Sequence, residues 1–450
     1  MMMANPLLIP FIYGKPVPWD HFIGREGTLQ LIFSNILNGQ STAVVGEPHM
    51  GKSSVLQFLN SERARAAFLP ESARRWMFID LDCHNLNDRH YQPANFWKQV
   101  LDDLALLYRN QMIHAQIEMV RQSDYQNFAL LRLFEQIGRK DRRVVLLLDE
   151  FDTLLDHPSF NGSAFFATLR AISSNSGGLV LVTATRLELA EMNRRTQKIN
   201  PTGSPYFNTL NEIPLHCFSP DEIARVLDHA LSRTVVTFSE TDRDYIRRTS
   251  GGHPFLVQAA AAALYQAIGL SKLGRGRYDF ADRQLLDQAD VLFNDLWSRL
   301  QEGTQTGLHA MARMHAREEK SPAEGAADAL PMVWSDLKEL VNTGLVEETD
   351  QASGALCRDK FWRISAESFS RWIVEQAPPP MAPASQRTPK QEEQIARLSD
   401  LMKAHSDRLF QLQLKEARLG TNADPSIAIE IQEIEQAITA LKQQIQELSR

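Results

Sequence analysis

Four residues, Gly46, Gly51, Lys52 and Ser53, stand in the spacing G-x-x-x-x-G-K-S within STAVVGEPHMGKSSVLQFL. That spacing suits a phosphate chain. Glycines let a loop wrap until several backbone N–H groups point inward, and the helix that follows adds its unpaired N–H groups and positive dipole end. Lys52 is placed to reach β- and γ-phosphates, and the Ser53 hydroxyl to ligate Mg²⁺. The intervening Glu47, Pro48, His49 and Met50, with Ser54 in the helix, complete the expected contacts, and ATP with Mg²⁺ is the expected ligand.

About a hundred residues on, an apolar run at 144–148 ends in Asp149 and Glu150. A carboxylate at a strand's C-terminal end can hold the Mg²⁺ shell, and its neighbour can orient and deprotonate an attacking water. Asp152 reads as a cap or a supporting group. In LVLVTATR, Thr183 or Thr185 can set a hydroxyl between Asp149 and the γ-phosphate. Arg170, in the helical FFATLRAI, is the first candidate for an arginine finger acting on a neighbouring subunit, with Arg186 second. The expected activity is slow, Mg²⁺-dependent ATP hydrolysis.

The elements that must position these groups follow from periodicity. Strands are expected at 42–45, 76–81, 144–148, 179–183 and 213–215, with helical patterns such as 52–59 and 94–107 between them. Short apolar runs alternating with helices give an α/β fold, a parallel sheet sandwiched by helices. Ser219-Pro220-Asp221-Glu222 carries the signature of a helix start, and helices follow to about 268. GLSKLGRGR at 269–277 reads as a linker. Helices, LKELVNTGLVEE, a turn at Ser353-Gly354 and FWRI then outline a winged helix over 285–375. A proline-rich linker spans 376–389, and two heptad-patterned helices fill 390–450. With Gly420 closing the first helix and Asp424-Pro425 opening the second, they are expected to form a coiled-coil hairpin about 35 Å long.

The chain's 450 residues imply two or three domains. A net charge of −7 with interspersed signs gives no whole-chain argument for nucleic acid or anionic membrane. Cys83, Cys217 and Cys357 are too scattered for a disulfide framework or a zinc site. The N-terminus lacks a basic n-region, and no apolar run approaches membrane-spanning length, so a cytoplasmic protein is expected.

Together FIGRE at 22–26, the phosphate loop, LLLDEFD, LVTATR and TSGGHPFLVQ at 249–258 resemble the STAND and origin-recognition-like branch of AAA+ ATPases. The resemblance covers about 15–275, with an ATPase core over 1–217 and a helical lid over 218–275. It implies that Phe22, Ile23, Gly24 and Arg25 lie beside the adenine. It also implies that Gly252, His253 and Pro254 form the lid's Gly-x-Pro motif, with His253 near the β-phosphate or sensing nucleotide state. The hairpin resembles a segment of bacterial conflict and signalling proteins.

Two functional classes then compete. One is a molecular switch coupling nucleotide state to self-association, or to an effector held by the C-terminal hairpin, in bacterial signalling or defence. The other is a DNA-bound ATPase of the origin-recognition or transposition-targeting type, gripping DNA through the winged helix. Residues 288–375 hold fifteen acidic and nine basic side chains, with Asp336 and Glu339 flanking Lys338 and only Arg358, Lys360 and Arg363 as a basic group. A surface that neutralises phosphates needs the opposite balance, so the switch is favoured.

Overall fold

The computed structural model describes residues 9–378 except 87–89, 108–110, 162, 200–204, 271, 273, 319–336, 338–339, 342, 350–354 and 358–359, and scattered helical positions between 394 and 444. It divides into two units, 1–288 and 289–450.

In the first unit the strands are β1 (Ser41–Val45), β2 (Met77–Asp82), β3 (Val144–Asp149), β4 (Leu179–Thr185) and β5 (Leu210–Pro214). They form one sheet in the order β2-β3-β4-β1-β5, every pairing parallel. A parallel sheet is covered on both faces, so its strands read as near-continuous apolar runs. β1 and β4 are buried along their whole length.

The helices before β5 are α1 (Glu26–Leu37), α2 (Lys52–Leu59), α3 (Glu62–Phe68), α4 (Pro93–Leu107), α5 (Gln111–Gln122), α6 (Asn127–Gly138), α7 (Ser163–Asn175) and α8 (Leu189–Ile199). Alternation along the strands sends Val44, Val145, Leu147 and Val182 to one face, where Ile32 and Phe33 of α1 and Val55 and Leu59 of α2 meet them. Ala43, Leu146, Leu148 and Leu181 face the other way, toward Phe96, Leu133 and Phe166 of α4, α6 and α7. Each of the Val, Leu, Ile and Phe side chains among these, fully buried, contributes about 1.5–3 kcal/mol.

Beyond β5 come α9 (Pro220–Leu231), α10 (Glu240–Ser250) and α11 (Pro254–Gly269). Ser219 and Ser239 each open a helix with a complete capping box. Ala259–Ala263 are fully buried, small side chains that let α11 pack closely. The stretch expected as a linker at 269–277 is shorter than that, because α12 (Arg275–Arg299) begins at Arg275, and the division at 288/289 falls within this helix.

The second unit holds α13 (Glu302–Glu318), a three-stranded antiparallel sheet of β6 (Val346–Thr349), β7 (Ala355–Cys357) and β8 (Lys360–Ile364) in the order β6-β8-β7, and α14 (Glu367–Glu375). Its core is aromatic: Phe293, Phe369 and Trp372 pack together, and the Trp372 indole donates to Asp290 Oδ1 at 2.9 Å. Arg363 is paired to Glu347 at 2.6 Å. Asp336, Lys338, Glu339, Ser353, Gly354 and Arg358 lie outside the described residues. In the C-terminal stretch Leu412 and Ile434 are buried against Leu409, Ile431 and Ile438, and Arg408 meets Glu430 at 2.8 Å. Gly420, Asp424 and Pro425, expected to make the bend there, are outside the described residues.

Candidate functional site

The phosphate loop leaves the C-terminal end of β1, between β4 and β5, where an open α/β sheet places its ligand crevice. Gly51 stands immediately before α2 at φ 89°, a left-handed conformation that only glycine adopts freely. Lys52 is 5% exposed, and its ammonium donates to Gly46 O at 2.8 Å and Glu47 O at 3.1 Å. An ammonium has three donors, so one remains for a phosphate. Burial holds the Lys52 pKa below its ordinary value, while Glu150, Asp152, Asp149 and Glu47 pull it back toward the charged form.

Asp149 ends β3, and its carboxylate accepts hydrogen bonds from the Ser53 hydroxyl and from Glu150 N, the latter at 3.0 Å. Burial raises the Asp149 pKa, and the Ser53 bond lowers it. Burial likewise raises the Glu150 pKa against the opposing charge of Lys52. Glu150 sits at φ 49°, Arg25 at φ 65° and His49 at φ 61°. All three line one cavity, and they are half of the six non-glycine residues with positive φ among those described. Each such conformation costs about 1–3 kcal/mol and persists where surrounding structure over-determines it.

That cavity, about 330 Å³, is lined by the loop from Pro48 to Val55, by Glu150, by Phe22, Ile23 and Arg25, and by Phe218, Val226, Pro254, Phe255 and Gln258 of the following helical region. It suits a small ligand. Phe22 is buried and stacked on Phe58 of α2 with ring centroids 4.6 Å apart. The wall that sequence reasoning missed is Ile12–Val17. This segment is pinned at both ends: Ile12 N donates to Gln258 Oε1 at 3.2 Å, and Val17 N donates to Ser54 Oγ at 2.9 Å. Tyr13 packs edge-on against Phe255. Its one advance signal was the aromatic content of PFIYG beside two prolines, which no periodicity exposes.

Arg25 is the hub. Its guanidinium donates to His216 O and to Met50 O, the latter at 3.3 Å, and lies 4.7 Å over the Phe218 ring. Its backbone N donates to Glu222 Oε1 at 2.8 Å, and Glu26 pairs with Arg225 at 2.6 Å. Burial lowers the Arg25 pKa, opposed by Glu222. The side chain expected beside a base is thus spent joining the phosphate loop to the chain after β5.

Other expectations are redistributed. His253 does not line the cavity; it is buried against the loop, with Pro48 O and His49 near it, and neither ring nitrogen has a hydrogen-bond partner of good geometry. Burial drives its pKa down to about 3, so the imidazole packed there is neutral. Thr183 pairs with Leu148 and Ala43 and shares their face of the sheet, opposite to the Val145–Leu147 face that Asp149 continues. Its buried hydroxyl has no hydrogen-bond partner among the described residues and does not line the cavity, while Thr185 Oγ1 donates to Leu187 O at 3.0 Å. Arg170 donates to Pro205 O at 3.1 Å within its own chain. Arg186 is the arginine near the carboxylates: its Nε is 4.0 Å from Asp152 Oδ2, and its charge lowers the Glu150 pKa.

These residues fit a Mg²⁺–triphosphate. Ser53 and Asp149 already form one polar pair at the end of α2, Lys52 keeps a free donor, and Glu150 opens onto the cavity.

Gly252, at φ 76°, tests how tightly the region after β5 is fixed. A Cβ there would lie 2.5 Å from Phe218 O, and Phe218 N donates to Gly252 O at 2.8 Å. Gly252→Ala is expected to destabilise the first unit by about 2–4 kcal/mol, combining left-handed strain with overpacking. A urea titration checks this, and an unchanged midpoint would contradict it.

Residues 36–192 match the family described as AAA domain. No curated protein matches the chain. Among solved structures, the Walker-type ATPase of Pyrococcus abyssi is similar with a TM-score of 0.52 at 15% identity, covering 81% of this chain and 99% of that one. The ORC2 protein of Aeropyrum pernix, in its ADPNP–ADP complexes, aligns with a TM-score of 0.46 at 13% identity, covering 81% and 97%. The first likeness establishes a shared fold. With the sheet order and the matched domain, the first unit carries a P-loop α/β fold of the AAA type. Among the described residues no helix is long and apolar enough to cross a membrane.

Proposed function

We propose that the chain is an ATP- and Mg²⁺-binding, slowly hydrolysing switch of the STAND-like kind, in which the nucleotide's state is read by the helical lid over 218–275. The observation that carries this reading is Arg25, whose one guanidinium holds Met50 of the phosphate loop and His216 and Phe218 at the base of the lid. A loop that shifts on binding or losing phosphate shifts a carbonyl that Arg25 grips, so the two regions are biased together.

In this reading Lys52 and the loop amides bind the phosphates, and Ser53 and Asp149 would hold Mg²⁺, which would supply neutralisation of phosphate charge. Glu150 orients and deprotonates water. Arg186 supersedes Arg170 as the cation that stabilises charge at the γ-phosphate. The winged-helix reading of 285–375 and the coiled-coil reading of 390–450 provide the output, self-association or an effector protein, in a cytoplasmic signalling or defence pathway. Fifteen acidic against nine basic side chains over 288–375 weigh against DNA gripped by that region.

Hydrogen exchange tests the coupling. ATP is expected to protect α9–α11 in the wild-type chain. In Arg25→Gln the ligand should still bind, while the added protection falls by about 10- to 100-fold, the loss of one or two charged hydrogen bonds. Equal protection in both proteins would sink the coupling.

A further inference from the structure

We infer that the edge of the sheet formed by the N-terminal ends of β2 and β3 is a docking surface for the phosphate backbone of double-stranded nucleic acid. Residues 62–75 and 139–143 contain eight basic and three acidic side chains in a chain whose net charge is −7. They are far apart in sequence, but the register Met77↔Val144 and the bond from Met77 N to Arg143 O at 2.9 Å set Arg74 and Arg75 beside Arg142 and Arg143.

What the guanidiniums touch matters most. Arg74 donates to Ala66 O at 3.1 Å and Leu69 O at 3.4 Å, and Arg142 donates to Arg75 O at 3.3 Å. Arg65 lies 5.5 Å over the Phe78 ring, and the side chain of Arg75 is exposed. Carbonyls and rings hold these groups in place without neutralising them. Glu62, Glu71 and Asp141, the acidic residues of the two segments, form no ion pair with them among the described residues. Arg143 is different: it donates to Ile36 O and Leu37 O and covers Trp76, a brace rather than a contact. Arg139 is partly answered by Glu135 at 4.0 Å. Arg63 lies instead over the Phe58 ring, 6.0 Å from its centroid, which leaves Arg65, Arg74, Arg75, Lys140 and Arg142 as the charged face.

The surface selects among polyanions. Trp76 and Phe78 are buried beneath Arg143 and Arg65, and the half-buried Phe68 is stacked on Phe33, so none of these three rings is free for the base stacking that single strands use. Between Arg65 and Arg74 the exposed residues are Ala66, Ala67, Pro70, Glu71 and Ser72, with no large apolar or aromatic anchor of the kind an acidic protein partner would seat. A stiff backbone with closely spaced phosphates needs neither. Binding is therefore electrostatic and indifferent to sequence. The phosphate loop lies at the opposite, C-terminal ends of the strands, so this face is separate from the ATP cavity and does not involve residues 285–375.

The test is fluorescence anisotropy of a short labelled duplex with the full-length chain across a salt series. Five phosphate contacts predict a log–log salt slope of about −4 to −5. Arg74→Gln/Arg75→Gln/Arg142→Gln should flatten the slope by about three, with ATP affinity unchanged on the same samples. The single Arg75→Gln, on an exposed side chain with no partner among the described residues, should flatten it by about one even where the triple variant folds poorly. The lysine counterpart, R74K/R75K/R142K, should keep the wild-type slope. Salt-independent or absent duplex binding, a triple variant that binds like wild type, or polyglutamate displacing the probe as well as unlabelled duplex does would each overturn the inference, the last in favour of an acidic protein. None of these outcomes touches the ATP reading, which is measured separately.

Discussion

Lys52→Ala is expected to raise the dissociation constant for ATP at least ~100-fold, about 3 kcal/mol, as measured by isothermal titration calorimetry. Two losses combine. The phosphate loses a charge-assisted donor, and the loop loses the ammonium that clasps Gly46 O at 2.8 Å and Glu47 O at 3.1 Å. A third effect has the same sign. Lys52 is the cation whose field acts on Glu150, Asp149, Asp152 and Glu47, and without it that acidic cluster faces an incoming polyanion with Arg186 as the nearer remaining cation. A thermal melt separates loss of site from loss of fold. An affinity within about threefold of wild type in a folded variant would refute the assignment of the loop.

Much of this architecture is legible in the chain because its signals are local. Val144–Leu148 and Leu179–Val182 are buried on both faces, so each reads as an unbroken apolar run. Ser219-Pro220 announces α9 by capping chemistry alone, and the glycine and lysine spacing of the loop states its own conformation. What was not legible depends on which distant backbone a long side chain finds. Arg25 belongs to a recognisable box, yet its partners Met50 and His216 are fixed only by the fold. Thr183 and Asp149 both sit near strand ends, but a period of two and the β3–β4 register send them to opposite faces. The helical run around Arg170 does not reveal that the guanidinium meets Pro205 O. Net charge hides the most: a balance of −7 conceals two arginine-rich segments that parallel pairing of β2 and β3 brings side by side. The segment at 12–17, irregular and flanked by Pro10 and Pro18, has no periodicity, and its place as a cavity wall follows from its anchors at Ser54 and Gln258.

Glu150→Gln separates binding from chemistry. The amide keeps the shape at the cavity but cannot take a proton from water, so hydrolysis is expected to fall by about 10²–10⁴-fold while ATP affinity holds or rises. Affinity holds because the carboxylate is a liability in the bound ground state, a negative charge set toward negative phosphates. The pH dependence supplies a second readout. Burial is the largest influence on Glu150 and raises its pKa, with Lys52 opposing. A base must be unprotonated, so wild-type turnover should be lost as pH falls through this raised value, at a higher pH than an ordinary glutamate would give. The residual turnover of Glu150→Gln should lack that acidic limb. Asp149 also has a raised pKa, but the role proposed for it is binding, and its protonation should appear in KM for Mg²⁺–ATP rather than in kcat. A variant that hydrolyses ATP at more than about a tenth of the wild-type rate, or keeps the same acidic limb in kcat, would remove Glu150 as the base and leave Asp152, buried at 3% exposure beside Arg186, as the carboxylate to test next.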